Sequence, residues 1–321
     1  VEYTRDQILE KLATAMEDAA AVLPETQPEV GRINKYMATA YAAKINLYRA
    51  YQQDETTHQV TSINSNLLQK VVQECDVVIN SGKYGLMDNF ADIWKESGGW
   101  CKESIWEINY EDGNNERGWS SPLAIGGTIL PTLISPNAWP GGDGWVKQAS
   151  DGWGFLPVRQ ETYDMFSDTD ARRAATCWDC RGMGTDGDAD DTHYHKRYQD
   201  TGFWLAKYRP FTENNADAGF DQNLNYNNNY RFYRVSEAYL NAAELLLETG
   251  GDANLAKDYV NAIRNRAGVA QKTSVTVDDV IEERHLEFVG EGKRYFDLVR
   301  TGKAASVLTP DKYGYRTNSW T

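Results

Sequence analysis

Apolar residues return every three to four positions along three stretches near the start of the chain, and that spacing predicts helices. Over 4–22, Ile8, Leu12, Ala15, Met16 and Ala19 share one face, and Pro24 ends the pattern. A second stretch, Gly31 to Tyr51, carries Ala38, Ala42, Ala43 and Ala50 beside Tyr41, Ile45 and Leu47. Small residues let a neighbouring helix come close, and the large ones fill the gaps. The third, Asn64 to Asn80, has a wide apolar face of Leu67, Leu68, Val71, Val72, Cys75, Val78 and Ile79, and Gly82 stops it. Helices of this length on short loops predict stacked helical hairpins, as in tetratricopeptide arrays; no strict repeat period is visible, so the array is degenerate. Ser104 to Tyr110 then alternates with period two and reads as a strand.

Between 111 and 229 the periodicity fails. The stretch is dense in Gly, Asn, Asp and Trp. A loop region this long is functional or disordered, and its many aromatics argue against disorder. Helical spacing returns near Tyr230, where Phe232, Val235, Tyr239, Ala242, Ala243 and Leu246 make one face and Gly250-Gly251 ends it. Asp252 can cap a following helix that runs to about Arg266, before Gly268. Thr276 and Asp279 resemble a capping box opening a last helix that continues towards Arg294. The chain is therefore read as one mainly α domain. Residues 1–110 form helical hairpins plus a short strand, 111–229 form a loop-rich ligand region, and 230–300 form C-terminal helices that pack on the repeats.

Composition sharpens this picture at three points. The net charge of −14 argues against a nucleic-acid partner, which needs clustered cations, and disfavours polyanionic ligands unless a local basic patch offsets it, so neutral ligands are the default. Ten Trp and nineteen Tyr supply flat amphipathic rings for a core or a binding surface. No apolar run reaches membrane-spanning length. Cys177 and Cys180 form a C-x-x-C, but only His193 and His195 lie nearby, so a local disulfide or free thiols is favoured over zinc.

The stretch from Tyr230 to Lys303 resembles the SusD/RagB family. The resemblance rests on Arg231, Glu237-Ala-Tyr-Leu-Asn-Ala-Ala-Glu244, Asn261-Ala-Ile-Arg-Asn-Arg-Ala-Gly268, Glu283-Arg284, Glu287, Glu291-Gly292 and Arg294-Tyr-Phe-Asp-Leu-Val-Arg300. Gly31-Arg32, Leu47-Tyr48, Ser81-Gly82-Lys-Tyr84-Gly-Leu86 and the strand before Tyr110 extend it towards the start; Gly152-Trp-Gly154, Pro157 and Asp170-Ala-Arg172 fit more loosely. The chain begins at Val1, and the family's lipoprotein signal, anchoring Cys, earlier helical section and Pro- and Asn-rich ending are not in it, so it is read as a fragment. The resemblance implies a non-catalytic helical scaffold that is lipid-anchored on the outer membrane. There it would serve as the lid of a SusC-like TonB-dependent transporter, capturing oligosaccharides or, in some branches, peptides. It implies no cofactor. A helical-repeat scaffold for protein segments and a glycoside hydrolase are the rival readings.

Sugar capture needs apolar rings for the C–H face and polar side chains for the hydroxyl rim. Trp119, Trp139, Trp145 and Trp153 lie among Asn137, Asp143, Lys147 and Gln148. Trp139-Pro-Gly-Gly-Asp-Gly-Trp145 is the leading candidate, because Gly and Pro can hold a tight loop displaying both rings. The resemblance makes Trp153 read more as a packing element, since the family's Gly-Trp-Gly looks like one. Glu283, Glu287 and Glu291, four apart, are expected to form an ion-pair network with Arg264, Arg266, Arg284 and Arg294 rather than a catalytic site. Asp186, Asp188 and Asp190 mimic the start of a calcium loop, but Asp191 and Arg197 break the rest of the pattern, so a solvated acidic turn is preferred to a structural calcium.

Overall fold

The structure is a computed structural model that describes residues 2–114, 116–120, 126–138, 152–183, 194–196, 199–219 and 221–309. In chain order the elements are α1 (Arg5–Val22), α2 (Lys35–Ala50), β1 (Tyr51–Gln53), β2 (Val60–Ile63), α3 (Ser65–Ile79) and β3 (Ser104–Ile108). The middle region adds α4 (Leu130–Ile134), α5 (Gln160–Asp164), α6 (Ala171–Thr176), β4 (Cys177–Asp179) and β5 (Phe203–Leu205). The chain then forms β6 (Tyr230–Arg234), α7 (Val235–Glu248), α8 (Ala253–Arg266), α9 (Val277–Glu287) and α10 (Arg294–Arg300).

The helical frame is a stack in which α1, α2, α3, α7 and α8 each pack against the next. Residues 80–234 are thus inserted between two neighbours of the array. Met37, Ala43 and Leu47 of α2, Leu68, Val71 and Cys75 of α3, and Ala238, Ala242 and Leu245 of α7 share one buried core. The alanines let the axes approach closely enough for the larger side chains to interlock. Asp252 caps α8 and Thr276 with Asp279 caps α9, as the sequence predicts, and Thr4 and Gln7 close a further capping box on α1.

Four elements differ from the sequence expectation. Helix α2 begins at Lys35, not Gly31. Asn34 caps it, and Gly31 sits at φ +88° so close to Trp100 that a Cβ would lie 3.2 Å from the ring. Tyr230–Arg234 is a strand paired antiparallel with β3, so Phe232 belongs to a sheet and α7 starts only at Val235. The two-stranded β1–β2 unit follows α2 where no alternation marks it. The last predicted helix breaks: α9 ends at Glu287, Gly290 (φ +79°) and Gly292 (φ +72°) turn the chain, and α10 restarts at Arg294. A Cβ on Gly290 would fall 2.4 Å from Leu205, so the turn is pressed onto β5 of the middle region.

The middle region is loop-rich, as the sequence predicts, with only short elements among its described residues, and it covers a core of its own. Phe90, Ile93, Trp94, Ile134, Phe166, Phe203 and Tyr208 form a second core beneath it, into which Leu286 of α9 also packs.

Candidate functional site

Two surface segments are pinned together on this second core. In the first, the Arg117 N–H donates to Asn225 Oδ1 (2.7 Å), and Asn225 Nδ2 donates back to the Arg117 carbonyl (2.7 Å). Asn225 is fully buried, and a Cβ on Gly127 would lie 2.3 Å from its Cα. This amide clamp fixes the backbone just ahead of Trp119. In the second segment the N–H groups of Trp153, Gly154 and Phe155 donate to the carbonyls of Thr132 (2.8 Å), Ser135 (2.9 Å) and Leu133 (3.0 Å). These carbonyls lie at the C-terminal end of α4, where a helix leaves acceptors free. Gly152 lies so close to the chain after α4 that a Cβ would come within 2.2 Å of the Pro136 carbonyl, and Gly154 takes φ +64°. Both glycines flanking Trp153 are therefore backbone requirements, and the indole between them is free to do something else.

It stacks on Trp119. The ring centroids are 5.7 Å apart with an interplanar angle of 25°, and Phe155 meets Trp153 edge-on at 6.1 Å and 89°. Trp119 is 65% exposed and Phe155 54%, with Leu156 beside them also exposed. Contiguous exposed rings of this kind mark a binding surface. Such a platform can cover the C–H face of a sugar ring, with amides near its edge for hydroxyls. Asn137 is half-buried close by; its carbonyl accepts the His195 N–H (2.8 Å), and the next residue, Ala138, donates to the Gly152 carbonyl (2.7 Å). Phe155 and Leu156 were not singled out from sequence, although they directly follow the Gly-Trp-Gly run. Trp139, Asp143, Trp145, Lys147, Gln148, Asp186, Asp188, Asp190 and His193 lie outside the described residues.

The acidic cluster is of a different kind. Glu283, Glu287 and Glu291 are all buried. Arg172 reaches Glu283 (2.7 Å) and Glu287 (3.2 Å), Arg264 reaches Glu283 (2.7 Å), and Arg266 reaches Glu287 (2.6 Å) and Glu103 (2.9 Å). Arg234, fully buried, spans Glu103, Glu287 (2.9 Å) and Glu291 (2.8 Å). Lys207 joins Glu291 (2.8 Å) and the Glu287 carbonyl (2.9 Å). Arg284, expected here, turns instead to Asp297 (3.1 Å). Glu291 lies beyond the end of α9 rather than on a shared helix face. Burial pushes Glu287 upward, but Arg266, Arg234 and Arg172 outweigh it and hold the carboxyl well below its ordinary range. Burial drives the Lys207 amine down to about 8, with Glu291 opposing. Each of the three carboxylates is thus engaged by at least one cation, as an ion-pair network requires. What the cluster does is tie α9 and β6 to the middle region, from which Arg172 and Lys207 come. Sequence reasoning missed those two, because nothing local connects 172 and 207 to 287 and 291.

The four cysteines are free thiols, with Cys177 and Cys180 buried. Among the described residues no group of His, Cys, Asp and Glu is placed to hold a metal ion, and no helix is long and apolar enough to cross a membrane.

Comparison with known proteins gives a consistent picture. A family model described as the SusD family matches residues 185–320. The structure is similar to that of surface glycan-binding protein A from Bacteroides thetaiotaomicron, solved in complex with laminarihexaose. The TM-score is 0.84 and the identity 46%, over 98% of this chain and 66% of that one. A laminarin-binding SusD-like protein is also similar, with TM-score 0.78 and 27% identity over 97% of this chain and 64% of that one. The curated SusD-like protein P25 of Formosa agariphila is 24% identical over 97% of this chain and 58% of its own length. The chain thus spans roughly three fifths to two thirds of the proteins it matches.

Proposed function

The chain belongs to the SusD/RagB family, and from that premise we propose that it captures oligosaccharides at the cell surface without altering them chemically. The observation that carries this reading is the exposed Trp119 ring stacked on a half-buried Trp153, extended by the exposed Phe155 and held by backbone hydrogen bonds to α4. A preformed platform lowers the ordering cost of binding. Affinity is modest, because stacking and hydroxyl bonds mostly replace equivalent contacts with water.

The ligand class follows from charge and from likeness. A net charge of −14 disfavours polyanionic glycans, and the relatives named above are described with laminarihexaose and laminarin. A neutral glucan of the laminarin type is the proposed ligand. Asn137 serves the hydroxyl rim, and Trp139, Asp143 and Trp145 are proposed to extend the surface. The family reading places the whole protein on the outer membrane, lipid-anchored, delivering its cargo to a SusC-like TonB-dependent transporter.

The test is calorimetric titration with laminarihexaose, run beside an assay for new reducing ends. Binding without release of reducing sugar is expected, with a clear loss of affinity in Trp119→Ala. Turnover, or unchanged affinity in a Trp119→Ala, Trp153→Ala double variant, overturns the reading.

A further inference from the structure

A second concave site lies away from the platform and shares no residue with it. It is a cavity of about 260 Å³ between the connection from α1 to α2, the chain after α3 and the turn leading into β3. Pockets for drug-sized molecules run from about 300 Å³ upward, so this one suits a single small unit rather than a chain.

Two half-buried aromatic rings line it, Trp100 and Tyr84. The Trp100 indole N–H donates to Asn109 Oδ1 (2.7 Å), and its backbone N–H donates to Glu107 Oε1 (2.9 Å). Its φ of +53° is one that a bulky residue rarely adopts, and such a backbone persists only where the surroundings over-determine it. Asn34 Nδ2 donates to the Tyr84 hydroxyl (3.4 Å), and Tyr36 meets that ring edge-on at 6.0 Å. Both rings are therefore set before any ligand arrives.

The same cavity is lined by three cations, Arg32, Lys83 and Lys102, against one acid, Glu29. All three cations are exposed. Among the described residues the Lys83 amine has no hydrogen bond or ion pair. Arg32 pairs with Glu29, and Lys102 with Asp88 (3.1 Å), but both acids are themselves exposed. Surface pairs of this kind are worth about 0–1 kcal/mol and give way readily to a better partner. The net charge of −14 does not govern this spot. At physiological salt, exposed charges more than about 8 Å apart are largely screened, so the lining decides what is attracted. Preset rings beside free cations match a guest with an apolar face and one negative charge. The rings cover the face, and the cations bond the charge.

We infer that this cavity binds an acidic sugar residue, a hexuronate, through its carboxylate, as a subsite separate from the neutral-glucan platform. The choice of a sugar over another carboxylate rests on the glycan-capture reading above.

The probe is D-glucuronate, compared with D-glucose and acetate by saturation-transfer NMR, in parallel with calorimetry on laminarihexaose. Glucuronate is expected to bind about tenfold tighter than glucose or acetate, to weaken as salt is raised, and to persist in Trp119→Ala. It is expected to weaken by about tenfold in a Lys83→Glu, Lys102→Glu double variant, whose exposed side chains contribute little to stability. Trp100→Gly removes the ring, suits the left-handed backbone and should weaken binding to a similar extent. Absence of glucuronate binding overturns the subsite, as does binding unchanged in the double lysine variant or lost in Trp119→Ala. Acetate competing as well as glucuronate would mean that charge alone is read, and overturns the sugar. If laminarihexaose binds and glucuronate does not, only the subsite falls. If glucuronate binds and laminarihexaose does not, only the platform reading falls.

Discussion

The platform and the charge network invert the usual placement of residues in opposite directions. At the platform, the Trp119 indole and the Phe155 ring stand in water, with Trp119 stacked on a half-buried Trp153. Elsewhere in the molecule, Arg172, Lys207 and Arg234 are buried with Glu103, Glu287 and Glu291. Each arrangement is costly by itself. Exposed rings forgo the gain of burial, and buried ions lose hydration that pairing only partly returns. The difference between them lies in what each serves. The network joins α8, α9 and the turn after α9 to the inserted region, through Glu103, Arg172, Lys207 and Arg234, by bonds that are lost if either side moves. The platform leaves Trp119 and Phe155 more than half exposed to an outside partner.

The comparison breaks first at the network. Glu287→Gln leaves Arg172, Arg234 and Arg266 without their shared counter-charge, and removing one partner of a buried ion pair typically costs about 3–5 kcal/mol. Urea unfolding should show a loss of that size or an insoluble product; a loss below about 1 kcal/mol would mean the network carries little.

Acid should act on another buried group of charges outside the network, Asp297 with Arg284 and Arg300. Burial raises the Asp297 carboxyl, but Arg284 and Arg300 more than offset this and hold it at about 2, below its ordinary 3.8. Its contribution is fully present above pH 4 and is lost as pH falls through 2, amounting to roughly 2 kcal/mol. Melting temperatures measured between pH 5 and pH 2 should fall more steeply in the parent protein than in Asp297→Asn. Equal slopes would assign the acid sensitivity to other groups.

At the platform the effects fall on binding and leave stability nearly unchanged. Trp119→Ala removes an exposed ring, so laminarihexaose affinity should drop by roughly tenfold, about 1.4 kcal/mol, with stability shifted by less than about 0.5 kcal/mol. A large stability loss would show that Trp119 is a packing residue after all. The smallest expected effect is Trp119→Phe, which keeps a flat ring and should cost about 0.5 kcal/mol or less in calorimetry. If it matched the alanine variant, the indole would be acting through more than its stacking face.

Much of the frame was legible along the chain. The apolar spacing of Leu68, Val71 and Cys75, or of Ala238, Ala242 and Leu245, is set by helix geometry, and caps such as Asn64 and Asp252 act within a few residues of themselves. The failures have physical causes. Tyr-Arg-Phe-Tyr-Arg became strand β6 because β3, far off in sequence, supplied a partner. The last helix broke because Gly290 had to pass Leu205. Trp119 and Trp153 could be named as candidates from their surroundings in sequence, but their stacking could not, since Asn225 and the end of α4 set it from a distance.

Local spacing and composition therefore determined which segments are helical, the acidic character that favours a neutral ligand, and the family signature of the closing helices. Tertiary structure decided which rings were left in water and which charges were enclosed. Both outcomes depend on long-range partners: Arg172 and Lys207 for the network, Asn225 and Thr132 for the platform. A residue's own neighbours in the chain set its backbone preference, while its exposure is settled only when distant segments compete for the same space.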